Sequence, residues 1–204
     1  MVNEYKAQVD FTKEGGLAEQ LDFIKNNKTQ GGLSGFISVQ GFLRSIRDIG
    51  YKSVARALNE LIDNSIQAGC ARIQCSLVEY KSNVVEIRLV DDGHGMPETM
   101  LPVAIRWGAT HRHGSRVGFG RYGFGLPSAC MSLGTKYSVY SKTSDNGWNK
   151  ITFDITDIAL GKEDIDFNKI EIGPESLDKL PDGLEQYSSM ESGTIIQIEN
   201  LDRI

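Results

Sequence analysis

The chain has 204 residues, of which 40% are hydrophobic and 24% charged, the profile of an ordinary globular domain long enough to bury one sizeable core. A net charge of -5 and an isoelectric point near 5.3 give no general case for nucleic-acid binding. No run approaches the ~20 apolar residues of a membrane span, and the opening MVNEYKAQVDF lacks the apolar core of a signal peptide. Cys70, Cys75 and Cys130 are odd in number and form no CxxC, so reduced thiols in a cytoplasmic protein are expected.

Residues 1–39 are polar and dotted with glycine and read as an extended arm. Phe42, Leu43, Ile46 and Ile49 stand at helical spacing before Gly50, a plausible stop. Ser53 can cap a second helix to about Ala68, with Val54, Ala57, Leu58, Leu61 and Ile62 as its apolar stripe and Gly69 as its stop. Strands Arg72–Glu79 and Val84–Val90 follow, joined as a hairpin through Tyr80–Asn83. A helix is predicted from about Glu98 to Trp107, then a basic, glycine-rich loop over Gly108–Gly125. Leu126–Leu133 reads as a helix that tolerates Pro127 in its first turn and ends at Gly134. Lys136–Lys142, Trp148–Ile155 and Thr194–Glu199 read as strands. Between Asp154 and Glu191, eleven acids face three lysines, a net of -8. This stretch reads as a solvated excursion between two strands.

Three segments carry chemistry. On the second helix, Glu60, Asp63 and Asn64 fall at i, i+3, i+4 and share one face. At about 100° per residue, Glu60 and Asn64 lie at the edge of the polar face, beside Ala57. A solvated face is the plain reading. The functional one is a carboxylate base beside a carboxamide oxygen that suits the hard cation Mg²⁺. The second segment is Val90-Asp91-Asp92-Gly93-His94-Gly95-Met96-Pro97, at the end of an apolar strand. Asp91 there could accept a hydrogen bond from an exocyclic amine in a pocket, or the segment is a plain turn. His94 and Met96 break the pattern of an EF-hand calcium loop. The third is Gly118-Phe-Gly120-Arg-Tyr-Gly123-Phe-Gly125-Leu126, whose freed N–H groups lead into a helix and could cradle phosphate. It satisfies GxGxxG, but no strand precedes it and no βαβ unit surrounds it, which argues against a dinucleotide site. Arg106, His111, Arg112, His113, Arg116 and Arg121 gather near it, and the histidines have no third or fourth metal ligand at sensible spacing.

The order of these segments strongly resembles the GHKL superfamily, the Bergerat-fold ATPases that include gyrase-type topoisomerases, the large heat-shock chaperone, sensor histidine kinases and MutL proteins. The N box corresponds to Glu60-Leu-Ile-Asp63-Asn64, the G1 box to Asp91-Asp-Gly93-His-Gly95, the G2 box to Gly123-Phe-Gly125-Leu126 and the last motif to Gly193-Thr194. The likeness spans about residues 40–200. LNELIDNSIQAG and GRYGFGLPSACMSLG look most like MORC-type ATPases and their prokaryotic relatives. Trp107-Gly-Ala109-Thr110 is similar to the lid motif of MutL, with His111-Arg112 where Ser-Lys is expected.

The resemblance implies an α/β (α+β) two-layer sandwich, a mixed, mostly antiparallel sheet with helices on one face, spanning 40–204. It also implies a lid over about 108–125 and an ATP-dependent homodimer made through the arm. Glu60 would activate the attacking water and Asn64 would ligate Mg²⁺. Asp91 would accept from the adenine amine, helped by Thr194 through water. The implied ATP-binding set is Asp63, Asn64, Asp91, Gly93, Gly95, Met96, Gly120, Arg121, Tyr122, Gly123, Phe124, Gly125, Leu126 and Thr194. Histidine kinases typically carry Asn where this chain has Glu60, and a non-enzymatic ATP switch would not need that carboxylate. Relatives often continue into a second α/β domain that supplies a lysine to the γ-phosphate. The expectation is therefore a slow enzyme, the N-terminal part of a longer protein whose target is DNA or another protein, with Arg112, Arg116 and Arg121 as candidates for the lysine's role.

Overall fold

The computed structural model describes residues 39–108, 124–156 and 172–202. The arm up to residue 38, the centre of the lid and the first half of the acidic segment lie outside the described residues.

Helix α1 (Val39–Ile49) is followed by α2 (Val54–Gln67), whose N-cap is Ser53, accepting from the Arg56 N–H as its sequence position predicts. Strands β1 (Ile73–Tyr80) and β2 (Asn83–Asp91) form the expected hairpin. A 3₁₀ turn at Glu98–Met100 leads into the short helix α3 (Leu101–Ala104). The single helix expected from Glu98 to Trp107 is thus broken. Pro102, near the start of α3, has no N–H to extend the preceding turn, and Gly108 closes the segment at φ +77°. Helix α4 (Gly125–Leu133) and strands β3 (Gly134–Lys142), β4 (Trp148–Asp154), β5 (Glu175–Leu177) and β6 (Gly193–Leu201) complete the described chain.

The strands form one six-stranded sheet in the order β1-β2-β6-β3-β4-β5. All five pairings among the described residues are antiparallel, where a mixed, mostly antiparallel sheet was expected. Strand alternation sorts its side chains. Ile87 and Leu89 of β2, Ile196 and Ile198 of β6, and Tyr137 and Val139 of β3 face the helices. They pack against Leu43 of α1, Ala57 and Leu61 of α2, and Ala129, Met131 and Leu133 of α4. This is the two-layer α+β arrangement that the motif order implied.

The opposite face is not left to solvent. Val90, Tyr140, Trp148 and Ile195 are covered there by Leu180 and Leu184, with Leu177, Tyr187 and Met190 around them. Arg88 Nη1 fastens this cover by donating to the Gly183 carbonyl at 2.7 Å. The expectation of a solvated acidic excursion is therefore corrected for residues 172–192. Its apolar residues, scattered among acids, form the lid of a second small core.

The β1–β2 turn carries local strain. Lys81 and Ser82 sit at φ 49° and 67°, both positive as in the two-residue turns that favour Asn-Gly. Glycine carries no Cβ penalty there. Ser82→Gly is expected to raise stability by about 0.5–1 kcal/mol, readable as a higher midpoint in urea. A lower midpoint would show that the turn's strain is not relieved this way.

Candidate functional site

The site begins where the apolar rows of the sheet end. On the helix-facing side, Ile87, Ile198 and Tyr137 make one row across β2, β6 and β3, and Leu89, Ile196 and Val139 the next. The third row is polar: Asp91 pairs with Thr194, and Thr194 with Ser141. All three are buried, Ser141 completely. Three buried polar residues side by side must satisfy one another or a ligand.

Asp91 is held from two sides. Ser65 of α2 donates its hydroxyl to Oδ2 at 2.8 Å, and the Gly93 N–H donates to Oδ1 at 3.0 Å. Burial pushes the Asp91 carboxyl above its ordinary value, and the Ser65 hydroxyl and Gly93 amide pull it part of the way back. Each oxygen has lone pairs left for another donor.

The loop after Asp91 is tied down along its length. His94 N–H donates to the Ala68 carbonyl at the end of α2, and Asp92 accepts from the Ala71 and Arg72 amides at 2.7 Å. Those bonds, with the Arg72 side chain, hold the half-buried Asp92 carboxyl below its ordinary value. Gly95 has φ +68°, and a Cβ there would overlap the Lys142 carbonyl oxygen, so only glycine lets the loop lie against β3. Met96 N–H then donates to Ser141 Oγ at 2.8 Å.

The other end of the site lies on α2, one turn and more before Ser65. The Glu60 carboxylate packs against Gly125 in the first turn of α4, so closely that a Cβ on Gly125 would overlap Glu60 Oε1. Tyr51 lies close to Glu60, and burial first, then that carboxylate, raises the tyrosine's pKa. Asn64, half-buried between Glu60 and Ser65 along the helix, has an amide nitrogen that is buried with no hydrogen-bond partner. Asp63 lies half-buried beside it, its backbone carbonyl accepting from Gln67 Nε2. Phe124 is exposed, and its ring lies beside Gly108. Leu126 packs at the edge of the core.

The structure thus gathers Glu60, Asn64, Asp91, Gly93, Gly95, Met96, Gly125 and Thr194 around α2 and the sheet's polar end. Gly120, Arg121, Tyr122 and Gly123 lie outside the described residues, as do His111, Arg112, His113 and Arg116. Three residues that the motifs did not single out also belong to the site: Tyr51, Ser65 and Ser141. Ser65 had a legible signal, because it continues the apolar stripe of α2 one turn beyond Leu61. The three cysteines are free thiols. Among the described residues no helix is long and apolar enough to cross a membrane.

Residues 51–189, more than half of the chain, match the family described as "Histidine kinase-, DNA gyrase B-, and HSP90-like ATPase". A curated relative, the DNA mismatch repair protein MutL of Acidiphilium cryptum (strain JF-5), is 40% identical over 58 residues. That stretch is 28% of this chain and 10% of the MutL protein, so the likeness covers a small part of its length.

Proposed function

Because the chain belongs to the histidine kinase-, DNA gyrase B- and HSP90-like ATPase family, whose domains bind ATP, we propose that it is a Mg²⁺-dependent ATPase that hydrolyses ATP to ADP and phosphate. Asp91 reads the adenine amine, Asn64 holds Mg²⁺ and Glu60 is the general base. One observation carries the reading. Helix α2 presents Ser65, near its C-terminal end, to Asp91 and Glu60, at its middle, to the first turn of α4. They are five positions apart, about 7.5 Å along the helix axis, so a base-recognition point and a carboxylate beside a helix N-terminus stand on one rigid rod.

The residues present fit both groups. The unpartnered Asn64 amide, once turned, offers its carbonyl oxygen to a hard cation. Among the described residues no three of His, Cys, Asp and Glu converge on a metal position. Mg²⁺ keeps several waters and takes few protein ligands when phosphates share it, so one carboxamide oxygen is a sufficient protein contact. When bound, Mg²⁺ supplies charge neutralisation across the phosphates. The chain's own part is to hold the base in the Asp91 pocket and to place Glu60 against α4. We further propose that the nucleotide cycle drives dimerisation or a clamp through residues 1–39, as in a cytoplasmic MutL- or MORC-like protein, with DNA or protein as target.

Calorimetric titration with ATP tests the core of this. ATP should bind in preference to GTP, and chelating Mg²⁺ should weaken it. Asn64→Ala should bind ATP equally with and without Mg²⁺. Equal affinity for ATP and GTP in the unmodified chain would sink the assignment of the pocket. A full Mg²⁺ effect in Asn64→Ala would move the metal elsewhere.

A further inference from the structure

Ser141 is a junction whose hydrogen-bond arithmetic has a consequence for base selection. Its Oγ lies 2.8 Å from the Met96 N–H, 3.0 Å from the Gly193 carbonyl oxygen and 2.9 Å from Thr194 Oγ1. A serine hydroxyl has one hydrogen to give and two lone pairs to receive with. The Met96 amide can only donate and the Gly193 carbonyl can only accept. If Ser141 gave its hydrogen to Thr194, its oxygen would face the Gly193 carbonyl oxygen at 3.0 Å with no hydrogen between them. In a fully buried site that opposition is costly. One arrangement satisfies all three neighbours: Met96 donates to Ser141, Ser141 donates to Gly193, and Thr194 donates to Ser141.

That arrangement spends the only hydrogen of the Thr194 hydroxyl. We propose that Ser141 is a specificity-determining positioning residue, which fixes Thr194 as a pure acceptor at the polar end of the sheet so that the pocket takes a 6-aminopurine and rejects a 6-oxopurine. Thr194 pairs with Asp91 across the sheet, so the two present acceptors side by side. An exocyclic amine in direct contact satisfies such a pair, since it has two hydrogens to give. A carbonyl at the same place meets acceptors only and leaves polar groups unpaired. The inference rests on the ATP-binding reading above, and it adds a residue on β3 that acts through Thr194.

The test compares ATP with inosine triphosphate, which carries a carbonyl where ATP has its amine, by equilibrium binding with Mg²⁺ present. Ser141→Ala frees the Thr194 hydrogen. The preference for ATP over inosine triphosphate should then fall about five- to tenfold, the worth of one neutral hydrogen bond. In a Thr194→Val background, which has no hydroxyl to reorient, the same substitution should leave the preference unchanged. Simple loosening of the pocket weakens both nucleotides alike, so the ratio separates the two causes. If Ser141→Ala does not fold, Ser141→Cys serves: it keeps a hydrogen to give, while its sulfur is a poor acceptor. An undiminished preference in the Ser141 variants, or an equal fall in both backgrounds, overturns the proposal. An unmodified chain with no preference for ATP overturns the underlying ATP reading instead, and the proposal with it.

Discussion

Glu60→Ala is expected to keep its affinity for ATP and to hydrolyse it roughly 10²–10⁴-fold more slowly, the usual contribution of a general base. The two halves of this expectation follow from the geometry. Binding is anchored further along α2, where Ser65 and Gly93 hold Asp91. Removing a carboxylate more than a turn away leaves those bonds in place. Chemistry depends on positioning in phosphoryl transfer. Glu60 is flanked from two directions, by Gly125 against its Oε1 and by Tyr51 close to its carboxylate. Alanine at 60 deletes the group that would take the water's proton. Single-turnover hydrolysis with Mg²⁺ and ATP measures the rate, and calorimetry on the same variant measures affinity. A variant that turns over at the rate of the unmodified chain would remove Glu60 from the role of base. The site would then read better as a nucleotide switch.

Much of this site is legible in the amino-acid sequence itself. The stripe Val54, Ala57, Leu58, Leu61, Ile62 sets the orientation of α2 and so places Glu60 and Asn64 at its edge. The alternation of β2 places Asp91 on the same side as Ile87 and Leu89. What stays hidden depends on partners distant in sequence. Alternation along β3 puts Ser141 on the face of Tyr137 and Val139, but a lone serine at a strand end does not say what it meets. Only the register of β3 against β6 sets it opposite Thr194 and so beside the site. Tyr51 sits in a short connection after α1, and nothing local announces that it reaches Glu60. The acidic segment misleads for a different reason. Its net charge describes its outer face, while Leu180 and Leu184 are separated by turns and give no period. Pro102 shows a third failure. The helical spacing around it is real, but a missing N–H divides the segment into a 3₁₀ turn and a short helix.

Asp91→Asn is expected to weaken ATP binding at least tenfold and to abolish its acid sensitivity. Both oxygens of Asp91 already accept one bond, from Ser65 and from Gly93. An asparagine has one oxygen and one NH₂ group, so it cannot serve both donors and an adenine amine as well. A hydrogen bond to a charged acceptor contributes about 1.5–3 kcal/mol, and about 1.4 kcal/mol is tenfold in affinity. The pH dependence follows from burial. Desolvation raises the Asp91 carboxyl above its ordinary value, so on acidification this group takes up a proton earlier than an exposed aspartate does. The ionised form is the one that accepts from the amine. ATP affinity should therefore be full well above the raised value and fall as pH drops through it, at a higher pH than an exposed aspartate would give. Folding runs in the opposite sense over the same window. A raised value in the folded state means that the folded chain binds more protons there than the unfolded one. Asp91's contribution to stability thus grows on acidification, and loss of binding is not loss of fold. Titrating ATP at a series of pH values, with circular dichroism on the same samples, separates the two. In Asp91→Asn the affinity should already be low and should not change across this window. If the variant kept the affinity of the unmodified chain, or lost it with the same acid profile, another group would be reading the adenine.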